Sequence, residues 1–180
     1  GISIFHSIAA FNNSGFDILG GLQNLIPYQN NLLLNLTTAG LIIFGGLGFL
    51  VILDILKKRS FRALALHSKV VIVMSAVLIL LGTLLLKATE NVTWLGAFFQ
   101  SVSARTAGFS TYPIGSFTDA GLFVLILLMF VGASPGSTGG GIKTTTLFAL
   151  LQATRSAATG RMPTAFRRTV AGEVVQKAFI

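Results

Sequence analysis

Two short turns hold the residues whose types and spacing point to chemistry: Asn12-Asn13-Ser14-Gly15-Phe16 and Arg105-Thr106-Ala107-Gly108-Phe109. Their Gly-Phe pairs stand 93 positions apart, although the helical parts match better with a one-residue slip (Ser-Ile-Ala-Ala against Ser-Val-Ser-Ala), which leaves the register open; each turn closes a short apolar run, Ile2 to Phe11 in one case and Thr93 to Ala104 in the other. The turns offer backbone rather than covalent chemistry. A helix that stops in a glycine turn and doubles back aims carbonyl oxygens at an axis, where they can replace the water around a cation. Glycine suits the tightest point because it has no Cβ and tolerates positive φ, and the partly negative end of the preceding helix faces the same path. A third stretch, Gly132-Ala133-Ser134-Pro135-Gly136-Ser137-Thr138-Gly139-Gly140-Gly141 with Lys143 just beyond, interrupts an apolar helix. Each glycine there gives up roughly 1 kcal/mol of helix propensity relative to alanine, and the proline more. One proline or a glycine pair would make a packing kink, so the excess points to a mobile loop across the ion path.

These residues need elements that hold them at membrane depth, and the composition supplies such elements. The 180 residues are 53% hydrophobic and 10% charged, with a mean hydropathy of +0.81, against about a quarter charged in soluble domains. The absence of cysteine excludes disulfides, thiolate metal sites and cysteine nucleophiles, and two histidines, His6 and His67, are too few for a zinc cage. Thirteen Lys and Arg against five Asp and Glu give +8. Most of the bases fall in two clusters, Lys57, Lys58, Arg59, Arg62 and Lys69, then Arg155, Arg161, Arg167, Arg168 and Lys177. The positive-inside rule makes both cytoplasmic and puts Lys87, Glu90 and the polar stretch from Gln23 to Asn31 outside. No aromatic or glycine-rich RNA signature interleaves the arginines, so no nucleic-acid partner is expected.

Leu32 to Leu53, 22 residues, and Val70 to Leu86, 17 residues, both carry no charge; about 20 residues cross a bilayer, and Lys87 can snorkel to extend the second. The two turn-bearing segments are too short to cross and read as re-entrant. Ala120 to Ala133 begins a helix that breaks and resumes at Leu147. The expected fold class is an all-α membrane protein of helix–pore-loop–helix repeats with one broken helix. Its parts are 1–56, a pore repeat lacking its first helix (pore helix and turn 2–17, transmembrane helix 32–53); 57–69, a cytoplasmic basic loop; 70–154, a complete repeat (helix 70–86, pore helix and turn 93–110, broken helix 120–154); and 155–180, a cytoplasmic basic segment.

Phe-His-Ser-Ile-Ala-Ala-Phe-Asn-Asn-Ser-Gly-Phe, Arg-Thr-Ala-Gly-Phe-Ser-Thr and Met-Phe-Val-Gly-Ala-Ser-Pro-Gly-Ser-Thr-Gly-Gly-Gly-Ile-Lys-Thr-Thr-Thr together resemble the Trk/Ktr/HKT superfamily of potassium transporters, most closely the Ktr-type membrane subunit. The resemblance covers essentially the whole chain. It implies a single pore built from four repeats, of which this chain would hold the second without its first helix, the third, and the approach to the fourth, as an internal fragment. Gly15 and Gly108 then match the selectivity-filter glycines, with Asn12, Phe16, Arg105 and Phe109 flanking and the carbonyls of Asn13, Ser14, Thr106 and Ala107 binding potassium. The Gly132 to Lys143 stretch matches the loop that gates the filter from below. The resemblance further implies a multi-pass protein of a bacterial plasma membrane, potassium as transported substrate with sodium dependence open, no cofactor and no enzymatic activity. A homodimer and a cytosolic ring of nucleotide-binding regulatory subunits are implied in the same way.

Other readings stand beside this one. Gly45, Gly46 and Gly48 read first as packing glycines, His6 as packed in its pore helix, and Asp17, Glu90 and Asp119 as a solvated outer rim. Arg105 should point behind its turn, to carbonyls or to an acidic partner, because a cation in the filter would block it. Lys143 is either a gate element or a helix-end cation. Gly136 to Thr144 nearly reproduces the G-x-x-x-x-G-K-[ST] phosphate loop of an ATPase, but Ile142 displaces the lysine and a helix stands where that motif needs a strand. A secondary carrier with a midplane site on broken helices is the remaining alternative.

Overall fold

The computed structural model describes residues 1–21, 23–160, 164–165 and 168–169. Among the described residues seven α-helices follow one another: α1 Ile2–Phe11, α2 Leu32–Leu47, α3 Phe49–Lys58, α4 Leu66–Thr89, α5 Trp94–Ala104, α6 Asp119–Phe130 and α7 Thr144–Thr159. Strand among the same residues is a two-residue antiparallel pair, β1 Thr164–Ala165 with β2 Arg168–Thr169, a small exception to the all-helical expectation.

Helix starts are set by side-chain caps at Asn31, Thr93 and Thr118, whose oxygens accept from the N–H groups of Leu34, Gly96 and Gly121. Such caps satisfy donors that have no intrahelical partner. Helix α4 is the spine and packs against α5, α6 and α7, while α2 packs against α1 and α5. At 24 residues α4 is about 36 Å long, enough to cross a bilayer core of roughly 30 Å. It is the one helix among the described residues that is long and apolar enough to span unaided. It also begins at Leu66 rather than Val70, which converts the end of the expected basic loop into helix.

The inner cluster draws Ala9 and Ala10 from α1, Ala39 and Ile42 from α2, Ile79 from α4, and the fully buried Phe99 from α5 around Ala107 and Phe109 of the second turn. Small residues on α1 and α2 let those backbones approach. Outward faces carry exposed Leu80, Leu84, Phe123, Leu127 and Phe130, the side chains a lipid surface accepts.

One element departs from the sequence reading. Where a single helix is expected over 32–53, the chain bends by 97° between α2 and α3. Gly48 makes the bend at φ +87, and a Cβ there would lie 2.8 Å from the Pro135 carbonyl oxygen. After the bend, Asp54 ties α3 to the start of α4. Its carboxylate accepts from Lys58 Nζ at 2.8 Å, Ser68 Oγ at 2.7 Å and Ala65 N at 2.8 Å. Helix α7 runs on through Arg155 to Thr159. The rest of the expected 155–180 segment, with Arg161, Arg167, Lys177 and the approach to a further repeat, lies outside the described residues apart from Gly160 and the two strands.

Candidate functional site

The two turns carry left-handed residues at matching positions. Positive φ recurs at alternate residues, Asn13 (52°) and Gly15 (67°) in the first, Thr106 (78°) and Gly108 (87°) in the second. The positive φ values match at a register of 93 positions, while the bonds at the helix ends match with one residue of slip, Ser14 N to Ala9 O against Gly108 N to Ser103 O. A non-glycine residue in the left-handed region is strained and persists where its surroundings hold it. Here the holding bonds come from the ends of α1 and α5. Ser14 N and Asn13 N donate to the carbonyls of Ala9 and Ala10 at 3.1 and 3.2 Å, and Ala107 N and Gly108 N share the Ser103 carbonyl at 2.9 and 3.3 Å.

The turns meet at their glycines. A Cβ on Gly15 would sit 2.6 Å from the Ala107 carbonyl oxygen and 3.0 Å from Gly108 Cα; one on Gly108 would sit 3.3 Å from Gly15 Cα. Behind them, Ser103 Oγ donates to the Phe109 carbonyl and Gln100 Nε2 to Ser110 Oγ at 2.8 Å. Across the units, Leu25 N donates to the Ser110 carbonyl at 3.0 Å and Ser110 N to Asn24 Oδ1 at 3.2 Å. His6 is packed, with Nε2 2.9 Å from Thr38 Oγ1 and its ring edge-on to Phe109 at 5.1 Å.

Arg105 lies behind its turn. Only 9% exposed, it donates from Nη2 to the Gly132 carbonyl at 3.2 Å and reaches Ser75 at 3.5 Å. Of the two partners considered from sequence, carbonyls are what it meets; no ion pair to it occurs among the described residues.

The Gly132 to Lys143 stretch folds as a compact loop between α6 and α7. Gly132 N donates to Ile142 O at 3.1 Å, Ile142 N to Phe130 O at 3.2 Å, and Ala133 N to Gly140 O at 3.0 Å. It is also bonded to everything around it. Ser134 N and Thr138 N donate to the carbonyls of Gly46 and Gly45 at 3.1 and 3.3 Å, and Phe49 N to Gly136 O at 3.1 Å. Thr138 Oγ1 donates to Phe11 O at 3.0 Å and accepts from Asn13 Nδ2 at 2.8 Å, while Gly140 N donates to Thr106 Oγ1 at 3.1 Å. The loop therefore holds, by one bond each, the two strained non-glycine residues of the turns. Ser137 Oγ bonds Ser134 O at 2.6 Å, and Lys143 Nζ bonds Gly139 O at 2.8 Å within the loop. A phosphate cradle would need free N–H groups after a strand; here those of Gly140, Ile142 and Thr144 are engaged, and α6 comes first.

Gly45 is a packing glycine, as the sequence suggests: a Cβ there would fall 1.8 Å from the Phe11 carbonyl oxygen. Sequence reasoning missed the roles of two acids. Asp17 and Glu90, read as solvated rim, are staples instead. Asp17 accepts from Leu19 N at 2.7 Å and Asn24 N at 3.0 Å, and Glu90 Oε1 accepts from Thr118 N at 2.9 Å and Thr118 Oγ1 at 2.6 Å. A short polar residue before an apolar run, as at Thr118, was the available signal for that cap.

Comparison with known proteins gives a consistent picture. The family described as TrkH, cation transport protein, matches residues 2–86 and 67–180. The Ktr system potassium uptake protein B of Vibrio alginolyticus is 41% identical over 166 residues, covering 84% of this chain and 36% of that protein. The potassium/sodium uptake protein NtpJ of Enterococcus hirae is 38% identical over 188 residues, covering 98% of this chain and 41% of that protein. The fold matches the crystal structure of the potassium transporter TrkH from Vibrio parahaemolyticus with a TM-score of 0.75 at 22% identity, over 99% of this chain and 41% of that one. The chain thus spans about two fifths of the length of these relatives.

Proposed function

This chain belongs to the TrkH cation transport family, and from that membership we propose that it supplies two neighbouring units of a potassium-uptake pore. Asn13, Ser14, Thr106 and Ala107 present their carbonyls to the ion, Gly15 and Gly108 set the closest approach, and the 132–143 loop is the gate. The observation that carries this reading is the contact between the two turns, Gly15 against Gly108, with left-handed residues at matching positions. Backbone of this kind at membrane depth is tolerated where it is buried in protein or lines a water-filled path. The loop's bonds to Asn13 and Thr106 support its assignment as the closing element. In the same reading the intact protein is a homodimer in a bacterial plasma membrane, regulated by a cytosolic nucleotide-binding ring, and performs no covalent step.

Gly108→Ser tests the filter. The substitution adds a side chain at φ +87, where L residues are strained, and must move the turn. Potassium uptake by the intact protein should fall and discrimination against sodium should weaken; unchanged affinity and selectivity would remove Gly108 from the filter. The two discontinuous helices, α2–α3 and α6–α7, also suit a carrier with a midplane site. Single-channel recording separates the two, because a pore passes ions in resolvable currents and a carrier does not.

A further inference from the structure

We propose that α3 and the loop after it form a membrane-surface element that binds the anionic phospholipid headgroups of the cytoplasmic leaflet. Residues 49–58 present two opposed stripes, each at the i, i+3, i+4, i+7 spacing of one helix face. Val51, Asp54, Ile55 and Lys58 form the first. Val51 is fully buried, Asp54 bonds Ala65 N and Ser68 Oγ at the start of α4, and Lys58 closes on Asp54. The second stripe, Phe49, Ile52, Leu53 and Leu56, is wholly apolar and lies on the side away from α4. Phe49 is 65% exposed and Leu56 64%, with Leu50 beside them at 63%. A helix that pins its one acid inward and leaves an unbroken apolar stripe outside presents a surface for an apolar neighbour.

The place of α3 in the fold says which neighbour. Helix α4 is long enough to span, so its first turn marks a membrane surface, and the Asp54 bonds hold α3 level with that turn. The 97° bend at Gly48 turns α3 out of the direction of α2, so the chain runs along that surface instead of through it. Three cations stand at its end. Lys57, Arg59 and Arg62 are exposed and in no ion pair among the described residues, whereas Lys58 is taken by Asp54 and Lys69 Nζ by the Arg62 carbonyl at 2.8 Å. Lysine and arginine stems lie along apolar surface while their heads reach the polar level, and juxtamembrane cations are attracted to anionic lipid. A soluble phosphate would satisfy the cations and leave the stripe bare; a bilayer with anionic headgroups covers both. The inference rests on the proposed reading of 57–69 as the cytoplasmic side of a membrane protein.

The test uses the intact protein in nanodiscs of phosphatidylcholine, with and without phosphatidylglycerol, read by thermal denaturation at low ionic strength, where such attraction is least screened. Wild type should melt several degrees higher with phosphatidylglycerol, and Lys57→Gln, Arg59→Gln and Arg62→Gln together should remove most of that difference. A difference that is absent in wild type, or that survives the triple substitution, overturns the proposal. What covers the stripe is read independently by a nitroxide on Leu56→Cys, in intact protein cleared of other cysteines. Frequent collision with oxygen and little with a soluble nickel chelate shows lipid against the stripe. Nickel access above oxygen access shows water over it, access to neither shows protein over it, and each overturns the proposal. Should the triple variant not fold, the wild-type difference and this label decide together. The two leaflets of a nanodisc are alike, so a reversed topology would leave these results unchanged, and labelling at Arg59 from either side reads it separately.

Discussion

Gly45→Ala should damage this protein although alanine is the better helix former. In α2 the exchange alone is worth about 1 kcal/mol in favour of alanine. Against it stands the Phe11 carbonyl oxygen, 1.8 Å from the new Cβ, with Thr138 Oγ1 at 3.0 Å. The nearest atom is backbone, so no rotamer relieves the clash, and α1 must withdraw by more than about 1.5 Å to reach ordinary contact. Overpacking of this kind costs about 1–3 kcal/mol. The withdrawal also breaks the Thr138 bond to Phe11 O, 3.0 Å long, worth a further 0.5–1.5 kcal/mol or so. The net loss is about 0.5–3.5 kcal/mol, a Tm decrease of roughly 1–14 °C. Because Phe11 is the last residue of α1, the displacement passes directly into the first turn, and on the proposed function potassium uptake should fall together with stability. The assay is uptake by cells expressing the intact variant, paired with denaturation of purified protein. Wild-type uptake and an unchanged or raised Tm would show that α1 does not end against Gly45, and the packing argument for the site would be wrong.

Thr138→Val keeps the shape of the side chain but removes its bonds to Phe11 O and from Asn13 Nδ2, about 1–2 kcal/mol of support for the closed loop. At about 1.4 kcal/mol per tenfold, basal potassium flux should rise several-fold and depend less on regulation; unchanged flux and regulation would make the loop structural. Single cysteines at Arg59 and Arg155, introduced into a stretch with none of its own, should react only from the cytoplasmic side and one at Asn91 only from outside, and the reverse labelling would invert the topology.

The turns and the interrupted helix were legible because their signals are local. Gly-Phe after a short apolar run, and five glycines with a proline inside another, need no distant partner to be recognised. The bend at Gly48 was not legible, because the backbone it packs against, around the Pro135 carbonyl, lies far along the chain; from sequence alone Gly48 is one more small residue in an apolar run. Asp17 and Glu90 were misread for a related reason. An acid beside a membrane face is normally solvated, and only the folded chain shows backbone N–H groups of Asn24 and Thr118 arriving within bonding distance. Arg105 was placed correctly behind its turn by electrostatics, since a fixed cation excludes a mobile one, but its partner Gly132 could not be named without the packing of α5 against α4 and the loop.

The loop meets the first turn between two side chains, Asn13 Nδ2 donating to Thr138 Oγ1, and the second through its own backbone, Gly140 N donating to Thr106 Oγ1. The two turns are therefore not equivalent toward it. An exchange of side chain at position 138 can release the first turn alone, whereas the loop's half of its bond to the second turn belongs to the main chain and is retained whatever side chain the loop carries there.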